Sequence, residues 1–277
     1  MDRYFVIGNP VEHSCSPFIH QSFALAAGQT LDYTRVLCSV ENFEPTLRKL
    51  ADEGALGCSV TTPFKFQARE LAAKCSDRAV LAGAANTLRF DAQAWAGDNT
   101  DGVGLVRDIV INAGVELANS RILVIGAGGA AAGVLGPLLC AGPSSLVLAN
   151  RTLEKARALA DRHQDVANVT GTVLTASSLN ACGNGFDVVI NASASSLHGA
   201  QVPIAADALK EGTLALDLMY GPPAQPFLEW AGKHGAVARD GLGMLVEQAA
   251  QAFFFWRAIR PETESVLQAL RNKLARG

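Results

Sequence analysis

Compact apolar runs and longer amphipathic stretches take turns along roughly the first hundred residues. "YFVIG", "YTRVLCSV" and "GCSVT" are β-rich runs of the kind buried in a sheet. "SPFIHQSFALAAG" and "NFEPTLRKLADEG" space their apolar residues as a helix does and close at Gly28 and Gly54. Strands alternating with helices predict an α/β layer of mainly parallel strands.

A second block repeats the alternation. "GVGLVRDIVINAG" predicts a bridging helix over 102–114, and "RILVIGAGGAAAGVLGPLLCAG" an apolar strand, a glycine turn and a long helix, with "SLVLANR" the next strand. Further strands at "FDVVINAS" and "TLALDLMY" extend that sheet. The tail from "GMLVEQAAQAFFFWRAI" onward is helical, broken at Pro261, and has no strand of its own to pair with. The domains are therefore expected to be discontinuous: residues 1–101 completed by 242–277, and a Rossmann-type domain over 102–241.

With 49% apolar and 18% charged residues, a chain of 277 can bury a large core. A net charge of -3 and the lack of a Lys/Arg block argue against nucleic acid as the main partner and leave a small molecule as the expected one. The six cysteines are far apart and contain no C-x-x-C, so they are expected to be free thiols in a reducing cytoplasm rather than metal ligands or disulfides. Neither the N-terminal apolar run nor "FFFW" is long enough to span a bilayer.

In "VIGAGGAAAG", Gly126, Gly128 and Ala131 fit G-x-G-x-x-A between a strand and a helix. The first glycine permits the tight turn, the second lets backbone approach a pyrophosphate, and the small third residue lets helix press on strand. At the end of the next strand, where an NAD enzyme would carry an acid for the ribose hydroxyl, this chain has "NRTLEK". Arg151 offers a planar fork for a 2'-phosphate and Lys155 a second positive charge one turn later, so NADP is favoured over NAD; a solvated arginine at a strand end is the plainer reading.

The run "SVTTPFK" brings a strand into Pro63, which stops it and fixes the approach to Phe64 and Lys65. A lysine at a strand's C-terminal edge is placed to exchange a proton with an alcohol or carbonyl oxygen. By position alone, an exposed residue opening the helix "FKFQARELAAK" is the favoured reading of Lys65. Asp101 in "GDNTDGVG" could cap the following helix or pair with Lys65 as a coupled acid–base unit. Ser14 and Ser16, before a helix opening with Pro17, suit a carboxylate ligand, although Ser16 is also a good N-cap. His13 and His20 are expected to pack or orient this turn rather than do chemistry.

Taken together, "GNPVEHSCSP", "SVTTPFK", "AGAANT", "GDNTDG", "GAGGAA", "NRT" and "DGLGMLVEQAA" resemble the shikimate dehydrogenases, in that family's order and over nearly the whole chain. The resemblance implies an N-terminal α/β substrate domain, a Rossmann-type NADP domain, and a cleft between them in which 3-dehydroshikimate is reversibly reduced to shikimate with NADP(H). Carried over by position, it implies substrate contacts at Ser14, Ser16, Thr61, Lys65, Asn86, Asp101 and Gln248, with Tyr220 close by. Lys65 would be the catalytic residue and Asp101 its partner. Cofactor contacts would be Gly126, Ala127, Gly128, Gly129, Ala130, Asn150, Arg151, Thr152, Lys155, Leu218 and Gly241. No metal is implied, and a monomer or homodimer is expected.

Three positions depart from the family pattern. Ser59 stands where asparagine is common, replacing a long amide with a short hydroxyl; Glu12 replaces a small residue and Gln225 a threonine. Ser59 would loosen the substrate pocket or alter its selectivity, which keeps open a relative acting on quinate or an aminated shikimate. A non-catalytic NADP sensor is the other alternative, but its hallmark would be a lost Lys65 or Asp101, and both are present.

Overall fold

The computed structural model describes residues 1–92, 94–193 and 204–276, which fall into two compact units, Met1–Gly104 with Leu245–Gly277 and Leu105–Met244. The first unit holds a six-stranded sheet ordered β2-β1-β3-β5-β6-β4. Its long strands β1 (Asp2–Gly8), β2 (Leu31–Leu37) and β3 (Ala55–Val60) pair in parallel. Helices α1 (Ser16–Ala26) and α2 (Phe43–Asp52) make the crossovers, as the alternation of patterns predicts. β2 starts two residues earlier than "YTRVLCSV" implied and stops before Cys38, whose thiol turns to Thr46 at 3.5 Å.

Beyond β3 the structure adds what the pattern does not announce. α3 (Lys65–Leu71) is shorter than the expected helix, because Ala72 is extended and the chain enters β4 (Lys74–Cys75). After α4 (Asp77–Ala82) come β5 (Thr87–Arg89) and β6 (Ala96–Asp98), and β5 runs antiparallel to both neighbours. These three strands of two or three residues are too short to show a period of two.

The first unit has a core on each side of its sheet. On one side, Phe5, Ile7, Cys58 and Val60 pack with Phe43, Leu47 and Phe64, and the rings of Phe43 and Phe64 stack at 4.4 Å. On the other, Tyr4, Tyr33 and Gly57 meet His20 and Phe23 of α1 and Phe253 and Trp256 of α9 (Leu242–Arg257). Each fully buried ring of this kind stabilises the fold by about 1.5–3 kcal/mol relative to exposure. α10 (Glu264–Arg276) follows the break at Pro261.

The second unit is a parallel six-stranded sheet ordered β12-β11-β10-β7-β8-β9, a doubly wound arrangement that reverses direction between β7 and β10. Its strands are β7 (Arg121–Ile125), β8 (Ser145–Ala149), β9 (Val173–Ser177), β10 (Val188–Asn191), β11 (Leu214–Asp217) and β12 (Val237–Arg239). α6 (Gly129–Cys140), α7 (Leu153–Thr170) and α8 (Gln225–Lys233) connect them. The helix expected over 102–114 is α5 (Asp101–Arg107), which widens into one π-helical turn over Asp108–Asn112. Asp108 is fully buried there and accepts from Asn112 and from both Nε and Nη2 of Arg239, so its carboxylate draws the turn inward. All six cysteines are free thiols, and among the described residues no helix is long and apolar enough to cross a membrane.

Candidate active site

In the first unit, the chain emerging from β3 builds the reactive group. Thr61 N still donates to Ile7 O, continuing the sheet, and Phe64 then plugs the core with no exposed surface. The next residue must therefore point away from that core. Lys65 opens α3 with its carbonyl taken by Ala85 N at 2.8 Å, and its Nζ lies 2.6 Å from Asp101 Oδ2. The side chains are only 14% and 7% exposed, which strengthens their attraction and makes either charge costly to leave alone. Lys65 is thus not the exposed helix-opening lysine that its position allowed. Two of its three ammonium hydrogens have no acceptor among the described residues.

Asp101 is held by more than the lysine. Its Oδ1 accepts from Asn86 Nδ2 at 2.8 Å, and Asn86 Nδ2 also reaches Thr100 Oγ1 and Gln248 Oε1. Thr100 N returns a bond to Asn86 Oδ1, while Gln248 Nε2 is fixed by Leu245 O on α9. Asn86, Thr100, Asp101 and Gln248 thus form one buried network drawn from three distant parts of the first unit. Asp101 stands in the first turn of α5 rather than capping it, and its carboxylate serves the network. Below, Asp98 is 2% exposed and accepts from Ser76 Oγ, from two nitrogens of Arg78 and from Asn99 N, bracing "GDNTDG" from underneath. Thr100, Asp98 and Arg78 are absent from the sequence-derived site; an acid and an amide packed into one short motif were the available signal.

At the head of α1, the helix begins at Ser16 itself, with Cys15 before it and no side-chain cap. Ser14 Oγ accepts from Ser16 N at 3.3 Å and donates to Ser16 Oγ at 3.2 Å, so the capping role belongs to Ser14. Arg35 on β2 grips the turn by donating from Nε and Nη2 to Ser14 O. Two hydroxyls beside the first turn of a helix are donors suited to a carboxylate, and Thr61 follows directly on β3. Ser59 accepts from the buried Tyr33 hydroxyl at 2.8 Å. Glu12 is exposed and Oε2 takes Val11 N; Gln225 begins α8 in the second unit. His20 is fully buried and stacked on Tyr33, consistent with packing, and burial depresses its pKa to about 3.

The second unit carries the glycine loop between β7 and α6. Gly126 has φ +115°, and a Cβ there would lie 2.9 Å from Ala192 O, so only glycine serves. A Cβ on Gly128 would meet nothing within 4 Å, which leaves space for a pyrophosphate against its backbone, and Gly129 and Ala130 then open α6. At the end of β8, Asn150 Nδ2 donates to Thr152 O, while Arg151 and Lys155 are exposed around the start of α7. Leu218 N bonds Asn191 O and Gly241 N bonds Met219 O, gathering the chain after β10, β11 and β12 at the C-terminal edge of the sheet. Tyr220 follows β11 in this unit, half-buried; the other expected substrate residues lie in the first unit.

Three family models match this chain: the shikimate dehydrogenase substrate binding domain over residues 6–88, shikimate / quinate 5-dehydrogenase over 109–219, and the shikimate 5'-dehydrogenase C-terminal domain over 241–271. The chain belongs to the shikimate dehydrogenase family. Among its curated relatives, the shikimate dehydrogenase (NADP(+)) of Methylibium petroleiphilum is 57% identical, over 98% of this chain and 94% of that one. A solved Ael1 enzyme from Pseudomonas putida is 46% identical with a TM-score of 0.88, covering 98% of each chain. The shikimate 5-dehydrogenase of Thermus thermophilus, solved in complex with NADP(H) and shikimate, is 29% identical with a TM-score of 0.82, covering 98% of this chain and 99% of that one. Shikimate dehydrogenases thus share both sheets with this chain.

Proposed function

We propose that the protein is an NADP-dependent oxidoreductase that interconverts 3-dehydroshikimate and shikimate. The observation that carries this reading is the Lys65 ammonium, held 2.6 Å from Asp101 and keeping two uncommitted hydrogens. The names of the relatives supply the substrate and cofactor class. The first unit is then the substrate domain and the second the cofactor domain.

In this reading Ser14, Ser16 and Thr61 receive the substrate carboxylate. Asp101, Asn86 and Gln248 hold ring hydroxyls, and Tyr220 is the further expected substrate contact. NADPH, when bound by the Gly126–Ala130 loop and by Asn150, Arg151, Thr152, Lys155, Leu218 and Gly241, supplies a hydride to the ring ketone. Lys65 Nζ gives a proton to the oxygen on which negative charge develops, and in the oxidative direction it takes that proton back. Asp101 Oδ2 fixes the direction in which Nζ points and stabilises its charge. Free thiols fit a reducing, cytoplasmic setting.

The test follows NADPH oxidation with 3-dehydroshikimate, repeated with NADH and, in reverse, with shikimate and quinate. Turnover with NADPH and 3-dehydroshikimate, and clear preference for shikimate over quinate, are expected; failure to reduce 3-dehydroshikimate would remove the reading. Arg151→Ala should lower kcat/KM for NADPH by about tenfold to a hundredfold, the value of a lost charge-assisted contact, while kcat/KM for NADH shifts by less than about threefold. Equal loss with both cofactors would mean that Arg151 does not read the 2'-phosphate.

A further inference from the structure

The sheet order places β1 between β2 and β3, yet Tyr33 on β2 reaches over β1 to put its hydroxyl 2.8 Å from Ser59 Oγ on β3. Tyr33 is 2% exposed, and burial raises the pKa of its phenol, so the proton stays on the oxygen and must be donated. Ser59 is the acceptor. A serine hydroxyl has two lone pairs and one hydrogen, so Tyr33 fills one lone pair and leaves the serine hydrogen to be given elsewhere. Among the described residues nothing takes it. Ser59 stands two residues before Thr61 on a strand whose pairing continues through Thr61 N, which puts the two hydroxyls on the same side.

Ser16 opens the helix that carries His20, and its Oγ accepts from Ser14 Oγ at 3.2 Å. The His20 ring lies flat against Tyr33, 4.4 Å between centroids and tilted by 8°, and fixes the plane of the phenol. Among the described residues neither His20 nitrogen has a hydrogen-bond partner, so this ring does not compete for the Tyr33 proton.

Resting on the proposed function, we infer that Tyr33 is a positioning residue for substrate carboxylate recognition: its hydroxyl occupies one lone pair of Ser59 Oγ and leaves Ser59 as a committed hydrogen-bond donor toward the anionic end of the substrate. Ser59 thereby supplies with a hydroxyl what an amide would supply with its own N–H, provided that the phenol is present.

The test measures the affinity of the full chain for shikimate by calorimetry, together with NADP-dependent turnover. Tyr33→Phe removes one oxygen and is expected to raise Kd for shikimate about tenfold, with kcat and NADP+ affinity within about twofold. Ser59→Ala should cost a similar factor, and the double variant no more than the worse single, because both break one link. For the methyl ester of shikimate, which lacks the charge, Tyr33→Phe should change Kd by less than about twofold. Melting temperatures confirm that each variant folds, and a tyrosine with a merely structural role would weaken acid and ester alike. Unchanged shikimate affinity in Tyr33→Phe, or losses that multiply in the double variant, would overturn the inference. Should the unmodified protein bind shikimate without turning it over, the proposed reaction falls while the affinity comparison still decides the role of Tyr33.

Discussion

Lys65→Ala is expected to lower kcat for shikimate oxidation by about a thousandfold while leaving NADP+ affinity within about twofold, since general acid–base groups contribute about 10²–10⁴. The expectation follows from where the structure puts the ammonium. It is 14% exposed, paired with one carboxylate oxygen, and short of acceptors for its remaining hydrogens. Alanine also leaves Asp101 with Asn86 as its remaining side-chain donor among the described residues, and breaking a buried pair costs about 3–5 kcal/mol, so stability must be measured beside activity. Small primary amines added to the Lys65→Ala protein separate the two effects: they restore part of kcat if the missing function is proton transfer, and none if the loss is of structure alone. A variant keeping more than about a tenth of kcat would remove Lys65 from the chemistry.

What the sequence made legible divides by length scale. Strands β1, β2, β3, β7, β8, β10 and β11, the glycine turn at 126–131 and the delivery of Lys65 by Pro63 were readable because each is a local rule written in neighbouring residues, whereas the five-residue β9, with Thr175 and Ser177 in its run, was not. β4, β5 and β6 were not, since two or three residues carry no period. The resemblance named Asn86, Asp101 and Gln248 separately. That one amide nitrogen of Asn86 serves Asp101, Thr100 and Gln248 at once depends on tertiary packing across 162 positions. The local rule also misplaced a cap: Ser16 has the right residue type, but the helix starts one residue early and Ser14 takes its N–H. Ser59 shows the same limit, because a hydroxyl's direction is set by a phenol 26 residues away.

Acid sensitivity of the first unit is the second large effect, and His20 is expected to contribute to it. Its ring is fully buried among Tyr33, Phe23, Phe253 and Trp256, neither nitrogen has a hydrogen-bond partner among the described residues, and burial holds its pKa at about 3 against 6.5 in an open chain. A depressed histidine pKa means that the unfolded chain binds the proton and the native one does not. The stability gained is therefore full above about pH 6.5 and falls as pH drops toward about 3, by about 1.4 kcal/mol per pH unit. At pH 5 the loss is about 2 kcal/mol, a large part of the usual margin of a domain. His20→Phe keeps a flat ring for Tyr33 and removes the titration, so the urea midpoint of this variant should decline less steeply between pH 7 and pH 4 than that of the parent. His163, in the second unit, is shifted the same way by burial, and His163→Phe serves as the comparison that leaves the His20 contribution intact. Parallel acid slopes in the parent and in His20→Phe would show that the first unit opens to water before its histidine is titrated, and the stacked ring would then be a packing element without a hold on the acid limit.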